Sequence, residues 1–410
     1  MARYSFSGVS DELDRRRHIT LGLERIENLL SLLGDPQRSL RVAQVVGTNG
    51  KGTTAVSLAG ALETAGFPSG AYLSPHVLTY TERVMVRGEF VSEEQFAAVM
   101  GEIIAVADAG GVAASQFELL TAGALKLFAD EGLSWAVLEA GLGARHDATT
   151  AARPEAVVLT NVGLDHTEYL GDTVEEIARE KLASLAPGGV LILGTDDPSV
   201  VALARKRCEE VGARLVEAAP KNRTLSAPAD LPPYAADDVS LGIRAAEVLL
   251  GRALMGQEQA WVVRDVAGTL PGRFEVHEVR GVPIVVDGGH NPSGVAAALE
   301  AVRSVYGERP LGVVFGVLRE KDVGSMLTAL KREAHVLVLT RPEGERAADP
   351  ARIVHEHGPR DREGRRARVT EDPVEALGVA VRQVEEMQGV VLVTGSLYAG
   401  APILRWLREE

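Results

Sequence analysis

The sequence holds a single cysteine, Cys208, in 410 residues. One thiol cannot close an intramolecular disulfide, and no Cys/His spacing suggests a zinc site. Nor does any apolar run approach the roughly 18 residues that a membrane span needs. The opening "MARYSFSGVSDELDRRRHITLGLERI" lacks the apolar centre of a secretion signal. These absences lead to the expectation of a soluble, cytoplasmic protein with no membrane partner. Basic residues are also short: 43 Lys and Arg against 57 Asp and Glu leave a formal charge of −14. That balance argues against bulk nucleic-acid binding, which draws on basic surface to displace counterions. Any anionic substrate must be met by a local site. The rest is ordinary globular material, 46% hydrophobic and 24% charged, long enough for about two to three domains.

Short apolar runs alternate with longer helical patterns. "RVAQVV", "WAVLEA", "AVVLT" and "VLIL" come first, then "PIVVD", "LGVVFG", "HVLVL" and "VVLVTG". Near-continuous Val/Ile/Leu runs separated by helices indicate parallel sheets covered on both faces. Between the two sets, Glu217 to Asp238 is rich in Pro and Ala and reads as an irregular connection, and Pro271-Gly272 reads as a turn. The expected fold is α/β with two doubly wound domains: a larger phosphate-loop domain over 1–272, a linker over 273–282, and a smaller Rossmann-like domain over 283–410. The charge-dense stretch "EGERAADPARIVHEHGPRDREGRRARV" reads as a solvated helix and loop.

Arg41 to Gly66, "RVAQVVGTNGKGTTAVSLAGALETAG", runs from a buried strand through a glycine-rich turn into a helix. Gly47, Gly50 and Gly52 let the backbone aim its N–H groups at an anion, and a helix expected to begin near Thr53 adds its positive end. Lys51 supplies a mobile charge, while Thr53 and Thr54 cap the helix and offer hydroxyls to phosphate or a metal-bound water. The usual pattern wants Gly in place of Val45 and a hydroxyl residue in place of Gly52, so the loop is a variant.

Other candidates collect at expected strand ends, where ligands of open parallel sheets lie. Glu139, in "LEAGLGARHDATT", reads either as a hard oxygen ligand suited to magnesium or as a carboxylate capping its turn. Gly141 and Gly143 lack the third glycine of a dinucleotide fingerprint, and Arg145 and Asp147 could hold a polar substrate. Asp165 and His166 follow another strand, with Lys181 on the next helix. There the histidine reads as a hydrogen-bonded structural residue unless other ligands converge on it. In the second domain "IVVDGGHNPSG" puts Asp287, His290 and Asn291 before a helix expected to be capped at Ser293, a place for a ribose or phosphate.

Together these segments resemble the folylpolyglutamate synthases, in particular the bacterial bifunctional type that is also a dihydrofolate synthase, within the Mur ligase family. The resemblance runs in order through "GTNGKGTT", "SPH" with "YTERV", "FELLT", "LEAGLGARHDATT", "TNVGLDHTEYLG", "AREK", "LPGRFE", "DGGHNP", "GVLREKD" and "VTGSLY". It implies an ATP-dependent ligase that adds L-glutamate to dihydropteroate or to a reduced folate through an acyl phosphate. Gly47, Thr48, Asn49, Gly50, Lys51, Gly52, Thr53 and Thr54 would hold the ATP phosphates. Ser74 and Glu139 would hold one magnesium, and His166 with a carbamylated Lys181 a second. Arg273, Asp287, His290 and Asn291 would serve the nucleotide from the linker and second domain. Leu21, Phe117, Arg145 and Asp147 would receive the pteroate, and Lys51, His166 and Lys181 would carry the chemistry. A monomer is expected.

Three departures qualify the resemblance. His146 stands where the family usually has Leu, and Gly289 where it has Ala; both read as tolerable. "YAADDVSLGIRAA" lacks the Asn that the family commonly places near the base, which leaves the adenine contacts open. Two other functions stay on the table: a Mur-type ligase adding amino acids to a cell-wall precursor, and a nucleotide-binding module with no ligase step.

Overall fold

The computed structural model describes residues 4–219, 231–266 and 270–409. Residues 220–230 of the connection expected between Glu217 and Asp238 lie outside the described residues. The described chain divides into two compact units, 4–219 with 235–266, and 270–409 with 231–234.

The strands of the first unit are β1 (Arg41–Val46), β2 (Ser69–Tyr72), β3 (Val84–Val86), β4 (Glu89–Phe90), β5 (Trp135–Glu139), β6 (Ala156–Leu159), β7 (Val190–Leu193) and β8 (Arg214–Glu217). They form one sheet in the order β4-β3-β2-β5-β1-β6-β7-β8. The pairings from β2 to β8 are parallel, while β3 and β4 add an antiparallel edge. The sheet is therefore mixed. The apolar runs behave as expected: β5 is buried along its whole length and β1 beyond its first residue, because helices cover both faces. Gln44 is the exception within β1. Its buried amide donates to Thr149 Oγ1 at 2.7 Å and Thr150 Oγ1 at 2.9 Å, tying the central strand to the turn Ala148–Ala152.

Register decides where the strands stop. Val45 lies opposite Glu139, and Val46 opposite Leu159, so the carboxyl ends of β5, β1 and β6 finish side by side. The helix Lys51–Thr64 leaves β1 directly and is buried on almost every side. Part of its cover is the helix Pro233–Leu250, which can approach because Gly242 has no side chain. A Cβ there would stand 2.5 Å from Ser57 Cβ and 2.7 Å from the Thr54 carbonyl.

The second unit contains β9 (Glu275–Val279), β10 (Val282–Val286), β11 (Leu311–Phe315), β12 (Val336–Leu339), β13 (Arg368–Val369) and β14 (Val390–Thr394), ordered β13-β12-β11-β14-β10-β9. All neighbours are parallel except β9 with β10. Residues 273–282, expected as a linker, thus contribute a strand to this sheet. "EVHEV" alternates partly buried with exposed positions, the pattern of an edge strand rather than an apolar run. Its core is Val and Leu from the parallel strands, with Phe315 and the inner faces of their helices.

At the amino end of β12, His335 accepts the Leu311 N–H through Nδ1 at 3.0 Å and faces Arg362 at 3.2 Å. Burial, then Arg362 and Arg303, hold its pKa below the ordinary histidine value, with Arg365 adding to this and Glu363 opposing it. A lowered folded-state value means that the unfolded chain takes up this proton first as pH falls below about 6.5. Stability should therefore be full above that pH and decline with acid. In urea titrations between pH 7 and 5, His335→Gln is expected to flatten part of the slope; an unchanged slope would remove His335 as its source.

Candidate functional site

The turn after β1 is held from the side by the segment that follows β6. Thr48 N donates to the Asn161 carbonyl at 3.0 Å, Asn49 N to Asn161 Oδ1 at 3.0 Å, and Thr160 Oγ1 to the Asn49 carbonyl at 2.7 Å. Thr48 Oγ1 and Gly163 N meet at 3.0 Å. Two turns from adjacent strand ends are thus tied together. Gly47 has φ 153° and Gly50 φ 78°. A Cβ on Gly47 would fall 1.8 Å from Thr160 Oγ1, and one on Gly50 would fall 2.1 Å from an Asp238 carboxylate oxygen. Both glycines are required by close approach as well as by dihedral angle. The helix begins at Lys51, two residues before the expected start, with Gly50 as its left-handed cap, so Gly52, Thr53 and Thr54 all lie in the first turn.

Two ammonium groups meet this loop. Lys51 Nζ donates to the Thr48 carbonyl at 3.1 Å, folded along its own turn. Lys181 ends the helix Val174–Lys181, is only 4% exposed, and donates to the Gly47 carbonyl at 2.7 Å. Burial and then the Lys51 charge lower the Lys181 pKa to about 7, against the pull of Asp165 and Asp147. Near neutral pH this amine is therefore available without its proton, the form that reacts with carbon dioxide.

Glu139 is buried at the end of β5, and its Oε2 accepts the Ser74 N–H at 2.9 Å. Ser74 Oγ accepts from Arg83 at 3.2 Å. This brings a carboxylate and a hydroxyl together as hard oxygen donors. His166 takes a left-handed backbone, φ 50°, with its N–H on Asp165 Oδ1 at 3.0 Å and its ring 3.9 Å from Asp165 Oδ2. Among the described residues no three His, Cys, Asp or Glu side chains form a closed metal cage. Magnesium does not require one, since it keeps several waters and binds through one or two carboxylates plus substrate phosphates. The donors at Ser74 and Glu139 fit that habit.

The four residues expected to receive a pteroate have different surroundings. Phe117 packs its ring 5.7 Å from that of Tyr72 and sets the far end of its own ring against Gly141, where a Cβ would come within 2.8 Å of it. Leu21 is 53% exposed, outside the core. Arg145 pairs with Glu180 at 2.7 Å on a half-open surface. Asp147 is buried and accepts from Gly141 N, Leu142 N, Thr149 N and Thr149 Oγ1. Its carboxylate holds the turn after β5, and burial raises its pKa against those hydrogen bonds.

In the second unit, Asp287 caps its own turn, accepting Gly289 N at 2.9 Å and Phe274 N at 3.1 Å, with the Tyr234 hydroxyl as a third donor. Arg273 lies over Gly288, where a Cβ would be 2.6 Å from its Nη1. His290 Nδ1 meets the Gly288 carbonyl at 3.0 Å. The following helix, Pro292–Tyr306, is capped by Asn291 rather than Ser293: Asn291 Oδ1 takes Gly294 N at 2.8 Å and the Ser293 hydroxyl at 3.0 Å. Gly289 is more than tolerated, since a Cβ would meet the Gly294 backbone at 2.8 Å.

The sequence alone does not single out Thr160, Asn161 and Asp238 as the surroundings of the Gly47 to Lys51 turn. "TNVGLDH" drew attention for its Asp and His, yet its Thr and Asn do the bracing. An Asn or Thr placed directly after a strand is a usable signal only when the strand is known to adjoin the loop.

Comparison with known proteins follows the same outline. Residues 45–231 match the family model described as "Mur ligase middle domain", and 272–397 that of "Mur ligase, glutamate ligase domain". A Mycobacterium tuberculosis protein named dihydrofolate synthase/folylpolyglutamate synthase is 31% identical, over 97% of this chain and 90% of its own. The structure of Escherichia coli FolC in complex with DHPP and ADP superposes with a TM-score of 0.86 at 26% identity, covering 99% of this chain and 98% of that one. A Yersinia pestis bifunctional folylpolyglutamate synthase/dihydrofolate synthase complexed with AMPPNP and Mn ion gives 0.84 at 28% identity, covering 98% of each.

Gly47→Ala should disrupt the brace, because Thr160 Oγ1 must leave the Asn49 carbonyl to admit the methyl group. The expected cost is about 1–3 kcal/mol, typical of forced overpacking, read as a lower thermal midpoint. Thr160→Ala in the same chain should recover part of it. A single variant as stable as the parent would show that the close approach is not limiting.

Proposed function

Because the chain belongs to the Mur ligase family, in the branch of the dihydrofolate and folylpolyglutamate synthases, we propose that it is an ATP-dependent ligase joining L-glutamate to dihydropteroate, to folyl(poly)glutamates, or to both. The observation that carries the reading is the braced phosphate loop with Lys51 and Lys181, set beside Glu139 and Ser74 at three neighbouring strand ends. A nucleotide switch needs only the loop and leaves the rest of this group without a task. A cell-wall ligase fits the same domains, but the full-length relatives carry folate names.

A carboxylate oxygen is a poor leaving group, so the acceptor's carboxylate first attacks the γ-phosphorus of ATP and ADP departs. The glutamate amine then attacks the acyl carbon, losing a proton, and inorganic phosphate leaves. The loop amides and Lys51 orient the phosphates and offset the charge that spreads over the transferring group. Magnesium, held through Ser74 and Glu139, would supply further positive charge at the phosphates, with His166 and a carbamylated Lys181 proposed for a second ion. The lowered Lys181 pKa and its seclusion support the carbamate. Arg273, Asp287, His290 and Asn291 are proposed to serve the nucleotide from the second unit, and Phe117 with Leu21 to line the pteroate site. Among the described residues no helix is long and apolar enough to cross a membrane, which supports the cytoplasm as the place of reaction.

The test is ADP release that depends on both an acceptor and glutamate, run with dihydropteroate and with a reduced folate. Release without them marks a switch, and dependence on one acceptor alone assigns one synthase activity. Lys51→Ala should fold as the parent does and lose more than nine-tenths of turnover, at least about 1.4 kcal/mol of barrier. Greater residual activity would remove Lys51 from the phosphoryl step.

A further inference from the structure

Arg83 follows the capping box of the short turn Tyr80–Arg83 and is only 5% exposed. A guanidinium keeps its proton at any physiological pH, so burial of this kind normally comes with a carboxylate. Arg83 has none. Its Nε donates to His76 Nδ1 at 2.9 Å, its Nη1 to Ser74 Oγ at 3.2 Å, and its carbon lies 5.9 Å from the Tyr80 ring centre. All three partners are neutral. His76 accepts the guanidinium N–H through Nδ1, so that nitrogen carries no proton of its own.

The nearby carboxylates are held elsewhere. Glu82, the adjacent residue, accepts from Val77 N at 2.7 Å, Leu78 N at 2.9 Å and Thr79 N at 3.0 Å. Asp14 takes the Tyr80 hydroxyl at 2.6 Å, and Glu139 takes Ser74 N. Arg25, by contrast, is paired with buried Glu118 at 3.0 Å. Among the described residues this buried cation therefore has no carboxylate in direct contact, on the wall that carries Ser74, whose N–H in turn meets Glu139 Oε2. Close behind is the fully buried hydroxyl of Tyr72, on the ring that packs against Phe117. An uncompensated buried charge costs stability unless a ligand supplies the counter-charge.

We infer that Arg83 receives the reacting carboxylate of the acceptor, as a charge-assisted and geometrically forked contact that positions it for phosphorylation. The inference rests on the ligase reading of this same site. The acceptor, rather than the incoming glutamate, is the ligand because this wall couples the cation to an aromatic surface, Tyr72 with Phe117. A pteroate-class acceptor brings a ring system and a carboxylate together, and glutamate brings no ring.

The experiment compares pteroate with its carboxamide, in which the carboxylate is replaced by a neutral amide, binding each to the parent and to Arg83→Gln by calorimetry without ATP. The parent should prefer the acid by more than tenfold. Arg83→Gln should bind acid and amide alike, at an affinity near that of the parent for the amide, and Arg83→Lys should fall between. Thermal midpoints of the unliganded Gln variant should be equal to or above the parent's, since an uncompensated charge has been removed. A parent that binds acid and amide equally, or a Gln variant that keeps the preference, overturns the assignment while leaving the ligase reading intact. A Gln variant with a lower midpoint and an unchanged preference marks Arg83 as structural. A parent that binds neither compound removes the assignment together with the ligase reading.

Discussion

The alignment of three strand ends is the constraint on which the first unit's site depends. β1, β5 and β6 terminate abreast, so the turns that leave them have no room to act independently. The β1 turn needs acceptors and donors for its exposed backbone, and the β6 turn supplies them through Thr160 and Asn161. Lys181 then closes the Gly47 carbonyl from below. Each partner is fixed by another strand's register, so the loop is braced by the fold itself. Preorganised dipoles of this kind act on charge without reorganising first.

The strand pattern was largely legible because the central parallel strands are apolar on both faces and leave a simple signature. β1, β5, β6 and β7 in one sheet and β10, β11, β12 and β14 in the other all fall on such runs. Strands without such a run were not legible for the same reason. β9 shows only alternation, β13 is two residues long, and β2 contains Ser69 and Gly70, small residues that do not mark a strand, although Gly70 admits Phe128 at close range. At the site, glycines, lysines and acids could be named from the sequence because their chemistry is specific to residue type. Which of them face inward could not. Lys181 reads as a solvated helix position until its neighbours are known, and Asp147 reads as a free acceptor until its four local donors are seen.

Backbone amides take up several of this acidic chain's carboxylates. Glu82, Asp147 and Asp287 each accept from two or more main-chain N–H groups and so fix a turn. The same kind of geometry is what the Gly47 to Lys51 turn, proposed for the ATP phosphates, would offer an anion. In a negatively charged chain this confines Glu82, Asp147 and Asp287 to bracing loops.

The assignment of residues 231–234 to the second unit, although first-unit residues flank them in sequence, bears on how the molecule can be divided. The Tyr234 hydroxyl donates to Asp287, more than fifty positions later, within that same unit. The chain thus enters the second unit, returns to the first for most of the helix Pro233–Leu250, and enters the second again. No single cut separates the two units. A fragment ending before β9 keeps Tyr234 without its acceptor, and one starting at β9 keeps Asp287 without that donor. The units are spatially distinct but not heritable as separate modules, so exchange between relatives by one crossover would have to replace a stitch as well as a domain.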